Sequence, residues 1–169
     1  MYGKIADFNV FNTDLYQYLK GLFYVTLLSR MLSKMKTKKK LTLKFYQNLG
    51  KLFYAVAASD NSVRKIEFDK LKELIIAQWL DLDSIEDNYY EDAAYQIEIV
   101  FDWLNSQKFL DATSCYNDFV NYKNEQKHLF SNSINKLIIK TAHAVANSFS
   151  GVNKSELILL AKLDLELKK

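Results

Sequence analysis

The chain contains no proline and only four glycines, Gly3, Gly21, Gly50 and Gly151, in 169 residues. That shortage of turn-formers constrains the fold more than any other feature. A sheet of several strands needs tight turns, and tight turns draw on Gly, Pro or Asn-Gly pairs. Long helices joined by short polar loops need none of these. With 49% of its residues apolar, a chain of this length can bury roughly 70% of the surface it exposes when unfolded. The expectation is one all-α domain over residues 1–169, a bundle of about six to eight helices.

Periodicity places most of them. Thr13 and Asp14 cap a first helix reaching about Met35, with Leu15, Leu19, Leu22, Tyr24, Val25, Leu28 and Leu32 on its apolar side. Lys36 to Lys40 reads as a solvated turn. Leu41, Phe45, Leu49, Leu52 and Val56 then recur at helical spacing, the clearest stripe in the chain. Asp60-Asn61-Ser62 interrupts it. A third helix is expected from Arg64 to Leu80, with Phe68, Leu71, Leu74 and Ile75 inward. After an acidic loop, Asp81 to Asp92, a fourth carries Ala94, Ile97, Val100, Phe101 and Leu104. Residues 112–127 are ambiguous, because Tyr116, Phe119, Val120 and Tyr122 are ringed by Asn, Lys and Asp. A further helix carries Ile134, Ile138, Val145 and Phe149, and a last one runs from Lys154 onward.

Charge is segregated along the chain. No acidic residue lies between Asp14 and Asp60, where Lys20, Arg30, Lys34, Lys36, Lys38, Lys39, Lys40, Lys44 and Lys51 occur. Between Lys72 and Lys108 there are nine carboxylates, from Glu73 to Asp102, and no Lys or Arg. Such segregation steers partners, or lets a basic helix pack beside an acidic one. The cluster Lys36, Lys38, Lys39, Lys40 and Lys44, interleaved with Leu41, Leu43 and Phe45, is a candidate basic patch for an anionic membrane surface or nucleic acid. No nucleic-acid motif accompanies it, so nucleic acid is the weaker of the two. The alternative is a solvated loop and exposed helix face.

Other chemistry finds little support. Cys115 is the sole cysteine, which excludes an internal disulfide and fits a reducing, cytoplasmic address. It reads as a small apolar core residue. Gly21 to Ser29 is too short to span a bilayer. His128 and His143 have no partners at zinc spacing, and no phosphate loop or nucleophile elbow is present. A non-enzymatic chain is expected.

The sequence also matches itself. Ala55, Val56, Ala57, Ser59, Val63, Glu67, Leu71 and Leu74 are identical to Ala144, Val145, Ala146, Ser148, Val152, Glu156, Leu160 and Leu163, a constant offset of 89 residues (Ala55 to Ala144). Each copy is a helix ending in small residues, a polar loop, a valine, and a glutamate opening another helix. An internal pseudo-repeat of two helical hairpins follows.

The first loop, Ala57-Ala58-Ser59-Asp60-Asn61-Ser62-Val63-Arg64-Lys65-Ile66-Glu67, resembles that of the TerB tellurite-resistance family, whose hallmark is Ala-Asp-Gly-x-Val-x-x-x-Glu between helices. The resemblance covers residues 41–167 and leaves 1–40 as a helical N-terminal addition. It implies an accessory protein of tellurite or general stress response, with protein partners, some membrane-associated, or a homo-oligomer, and a divalent cation such as Ca²⁺ as candidate ligand. The positions it carries over are Asp60, Glu67 and Glu156. Asn61 replaces the family glycine and tolerates the same left-handed backbone. Phe149 stands where a second aspartate would be, so the second half-site lacks a ligand. Both glutamates also suit plain capping, since a carboxylate in the first turn meets unpaired amides and the favourable end of the helix dipole.

Overall fold

Two hydroxyl caps, Thr42 and Ser131, open the two helices around which the fold is built. In a computed structural model, which describes residues 41–82, 92–107 and 111–169, the Thr42 hydroxyl accepts from the Phe45 amide at 3.2 Å. Ser131 accepts from the Ile134 amide at 3.4 Å. Each thereby satisfies one of the orphan donors of a first turn. The helices that follow are α1, Leu43–Ala57, and, further on, α5, Asn132–Ala146. Their boundaries coincide under the 89-residue offset (Leu43 to Asn132, Ala57 to Ala146). So do the starts of α2, Lys65–Leu74, and α6, Lys154–Leu167. Between the hairpins lie α3, Gln96–Ser106, and α4, Ala112–Glu125. The described residues thus form an all-α bundle of six helices without a strand. The ambiguous segment after Asp111 is a regular helix, begun by the Asp111 carboxylate accepting from the Thr113 amide at 3.0 Å.

All six helices belong to one compact unit, residues 39–169. The expected first helix, the lysines Lys36, Lys38, Lys39 and Lys40, and most of the acidic loop lie outside the described residues. Lys44 is described, and is exposed on the first turn of α1.

α1 is the central element, packed against α3, α4 and α5. Phe45, Leu49, Leu52, Phe53, Ala55, Val56 and Ala57 are fully buried, and Tyr54 nearly so. A helix buried on nearly every side is hydrophobic nearly all round. Its repeat partner α5 contacts α1, α2 and α6 and leaves one side in water. His143, the counterpart of buried Tyr54, is therefore exposed. Phe149 departs from expectation too. α5 ends at Ala146, and Phe149 sits in the following loop at 44% exposure.

α2 does not continue regularly to Leu80. At Ile75 it widens into a π turn, Ile75–Trp79, followed by a 3-10 turn, Leu80–Leu82. Trp79 follows Ile75 by four residues, on the same side of the helix. Trp79 is fully buried, and its indole donates to the Thr141 hydroxyl of α5 at 3.1 Å.

Candidate functional site: the paired loops

Helix α1 ends in small residues, and a 3-10 turn, Ala58–Asp60, leads to Asn61 at φ 65°. The equivalent turn after α5 places Ser150 at φ 53° and Gly151 at φ 83°. Asn61 and Ser150 correspond in the repeat, and both adopt the left-handed backbone that non-glycine residues seldom do. Asn61 thus fills the role expected of it.

The Asp60 carboxylate has three donors. Oδ1 accepts from the Ser62 amide at 3.0 Å. Oδ2 accepts from Arg64 Nη2 at 2.9 Å and from Asn153 Nδ2, in the other loop, at 3.0 Å. The Arg64 guanidinium in turn lies 4.6 Å from the centre of the Phe149 ring, a cation–π arrangement. Asn153 is the repeat counterpart of Arg64, and Phe149 that of Asp60. The loops therefore exchange equivalent contacts, Asp60 with Asn153 and Phe149 with Arg64, as a twofold relation between the hairpins requires. Phe149 meets its partner through the ring face.

Both glutamates cap. Glu156 Oε2 accepts from the Asn153 amide at 2.8 Å while Asn153 Oδ1 accepts from the Glu156 amide at 3.0 Å, a complete capping box. Glu67 Oε2 accepts from the Arg64 amide at 2.7 Å. The return half is missing there, because an arginine side chain has no acceptor. The Glu67 amide bonds to the Arg64 carbonyl instead, at 3.0 Å.

Asp60 and Glu67 meet around Arg64, whose Nη1 lies 3.8 Å from Glu67 Oε1. Glu156 adds its field from the other loop. The Asp60 hydrogen bond, more than the surrounding carboxylates, raises the Arg64 pKa, so the guanidinium is the fixed cation of the cluster. Among the described residues no group of three or more His, Cys, Asp or Glu could hold a metal ion. Sequence reasoning named Asp60, Glu67 and Glu156 but missed Arg64 and Asn153, which hold Asp60. The repeat alignment, which pairs those two positions, was the signal available.

Glu67 carries a pH signature. It is fully buried and its Oε1 has no hydrogen bond. Burial, opposed by the Arg64 amide and guanidinium, pushes its carboxyl above the ordinary 4.5. The folded state then holds the proton more tightly than the unfolded chain. Acidification through the raised pKa toward 4.5 adds stability, and the gain ends below 4.5, where both states are protonated. Glu67→Gln cannot show this gain. The stability of the variant relative to the parent should fall from pH 7 to pH 5 in denaturant titrations. A difference that stays constant or rises would contradict the assignment.

Elsewhere, Cys115 on α4 is 3% exposed, and burial pushes its thiol pKa up, as befits the core residue expected. Comparison of the chain with protein-family models, curated proteins and solved structures finds no match. The TerB resemblance therefore rests on the two loops. Among the described residues no helix is long and apolar enough to cross a membrane.

Proposed function

We propose that this chain is a non-enzymatic, TerB-like helical interaction module, an accessory protein that docks a protein partner on the outward side of α6. The observation that carries this reading is the exposure of Leu157, Ile158 and Leu165, at 59%, 48% and 65%. Helical geometry puts them, with exposed Ala161, on one side of α6. Grouped exposed aliphatics mark interaction surfaces far more often than scattered ones do. Grooves flank this side. One, of about 510 Å³, runs along Ile158 and Leu159 beside Tyr116 of α4. The other, of about 580 Å³, separates α6 from α5. The resemblance adds the setting, tellurite or general stress response.

Affinity capture from source cells with the parent chain and with Leu157→Glu/Leu165→Glu tests the docking. The parent should retain a discrete protein that the variant, with an unchanged helical spectrum, releases. Identical captures from both, or capture by neither, would sink the reading.

A further inference from the structure

The α5–α6 groove has a definite chemistry. Residues 126–155 contain no aspartate or glutamate, while Lys127, Lys136, Lys140 and Lys154 fall within them. Lys136, Lys140 and His143 follow at spacings of four and three on the exposed strip of α5. Asn135 Nδ2 donates to the Leu167 carbonyl at 2.9 Å, which ties the start of α5 to the end of α6 and sets the two helices antiparallel. The groove between them is lined by Lys136, Ile139, Lys140, Asp164, Leu167 and Lys168 among others. Its single carboxylate, Asp164, is already matched by Lys168 at 2.5 Å. No carboxylate among the described residues pairs with Lys136 or Lys140. The α6 wall continues along the same strip through Ala161 to Leu157, at spacings of three and four from Asp164, with Leu165 beside it.

We infer that this composite surface seats an acidic amphipathic helix of the partner protein; the inference rests on the docking reading above and gives it a chemistry. The strip from Leu157 to Lys168, apolar at Leu157, Ala161 and Leu165 and charged at the paired Asp164 and Lys168, is about 16 Å long at 1.5 Å per residue, three turns of a partner helix. A helix laid there covers Leu157, Ala161 and Leu165 with its apolar face and points its flank at Lys136 and Lys140. Charge complementarity across the rim selects carboxylates on that flank. An extended peptide gains less, because helix walls offer no unpaired backbone groups to complete a sheet. Single-stranded nucleic acid is disfavoured, because the strip is aliphatic and offers no aromatic ring for bases to stack on.

The probe is a labelled helical peptide of about 18 residues, with leucine on one face and glutamate on its flanks, compared with the same peptide carrying lysine for glutamate. Fluorescence anisotropy should show the acidic peptide bound about tenfold more tightly or better, with affinity falling as salt rises. Lys136→Glu/Lys140→Glu should reverse that preference, and Leu157→Ser/Leu165→Ser should weaken both peptides. Equal affinity for the two peptides, or indifference to the lysine reversal, overturns the inference. So does an RNA oligonucleotide that binds as tightly and ignores the leucine changes. Dimers that Lys136→Glu/Lys140→Glu dissociates in sedimentation would assign the surface to a second copy and overturn it as well. If the parent captures a cellular protein that Leu157→Glu/Leu165→Glu releases, yet the acidic peptide fails to bind, the docking reading stands and this one falls.

Discussion

Lys123→Ala should destabilise the fold by about 1.5–3 kcal/mol, the range for losing hydrogen bonds of a charged group, because Glu166 keeps Lys169 as a partner at 2.6 Å. Lys123 lies on α4 and is 3% exposed. Its ammonium donates to the Glu166 carbonyl at 2.7 Å and to Glu166 Oε1 at 3.1 Å. It thus serves both a buried carboxylate and an open carbonyl of the last turn of α6, where a positive charge also suits the helix dipole. Glu166 is held below the ordinary carboxylate range chiefly by Lys169, with Lys123 also contributing. Its contribution to stability is therefore present above pH 4.5 and disappears as pH falls through the lowered pKa. That sign is opposite to the one for Glu67. Replacing both partners, Lys123→Met/Glu166→Leu, should recover much of the loss, because a buried pair gains little over apolar groups of similar volume. Equilibrium denaturation reads both variants. A Lys123→Ala loss within about 0.5 kcal/mol would place this residue among ordinary surface positions and contradict its burial.

Gly50→Val should cost about 3 kcal/mol, at the upper end for overpacking, and Gly50→Ala somewhat less. Gly50 is the point where α1 meets α3. A Cβ there would stand 2.7 Å from the Ile97 carbonyl oxygen and 2.9 Å from Val100 Cβ. No side-chain rotation relieves a contact with backbone, so the two helices must separate. In a free helix, alanine would improve on glycine by about 1 kcal/mol. The loss expected from Gly50→Ala measures the crossing after that gain is subtracted. A midpoint for Gly50→Ala at or above the parent's, with an unchanged denaturant slope, would show that the helices do not approach here.

What the sequence reveals is what helices encode locally. The stripe Leu41 to Val56 and the 89-residue repeat locate both hairpins, and the polar residues Thr42 and Ser131 stand where caps were needed. The residues buried by distant neighbours were not legible. Gly50 looks like an indifferent glycine until α3 lies across it. Lys123 stands in a run of Asn, Lys and Asp that reads as solvent-facing, and only the end of α6 makes it interior. Trp79 is buried four residues after Ile75, as helical spacing allows, but nothing local shows that the helix widens into a π turn there. The candidate site was half visible. The two glutamates were evident from the repeat and Asp60 from the family resemblance, but nothing local showed that Arg64 supplies their cation or that Asn153 crosses over to Asp60. The exposed aliphatics of α6 look in sequence like core residues, since Leu157, Ile158 and Leu165 alternate with the buried Leu160, Leu163 and Leu167.

The two copies of the loop hold one another through exchanged side chains, and Asp60 is a brace spanning both. A double-mutant cycle on Asp60→Ala and Asn153→Ala measures that directly by equilibrium unfolding. Residues joined by a hydrogen bond couple by about 0.5–3 kcal/mol, whereas independent sites add to within about 0.3–0.5 kcal/mol. The expected coupling is about 1 kcal/mol or more, the net contribution of a hydrogen bond. Additive losses would mean that the loops stand side by side without bracing each other, and would contradict it.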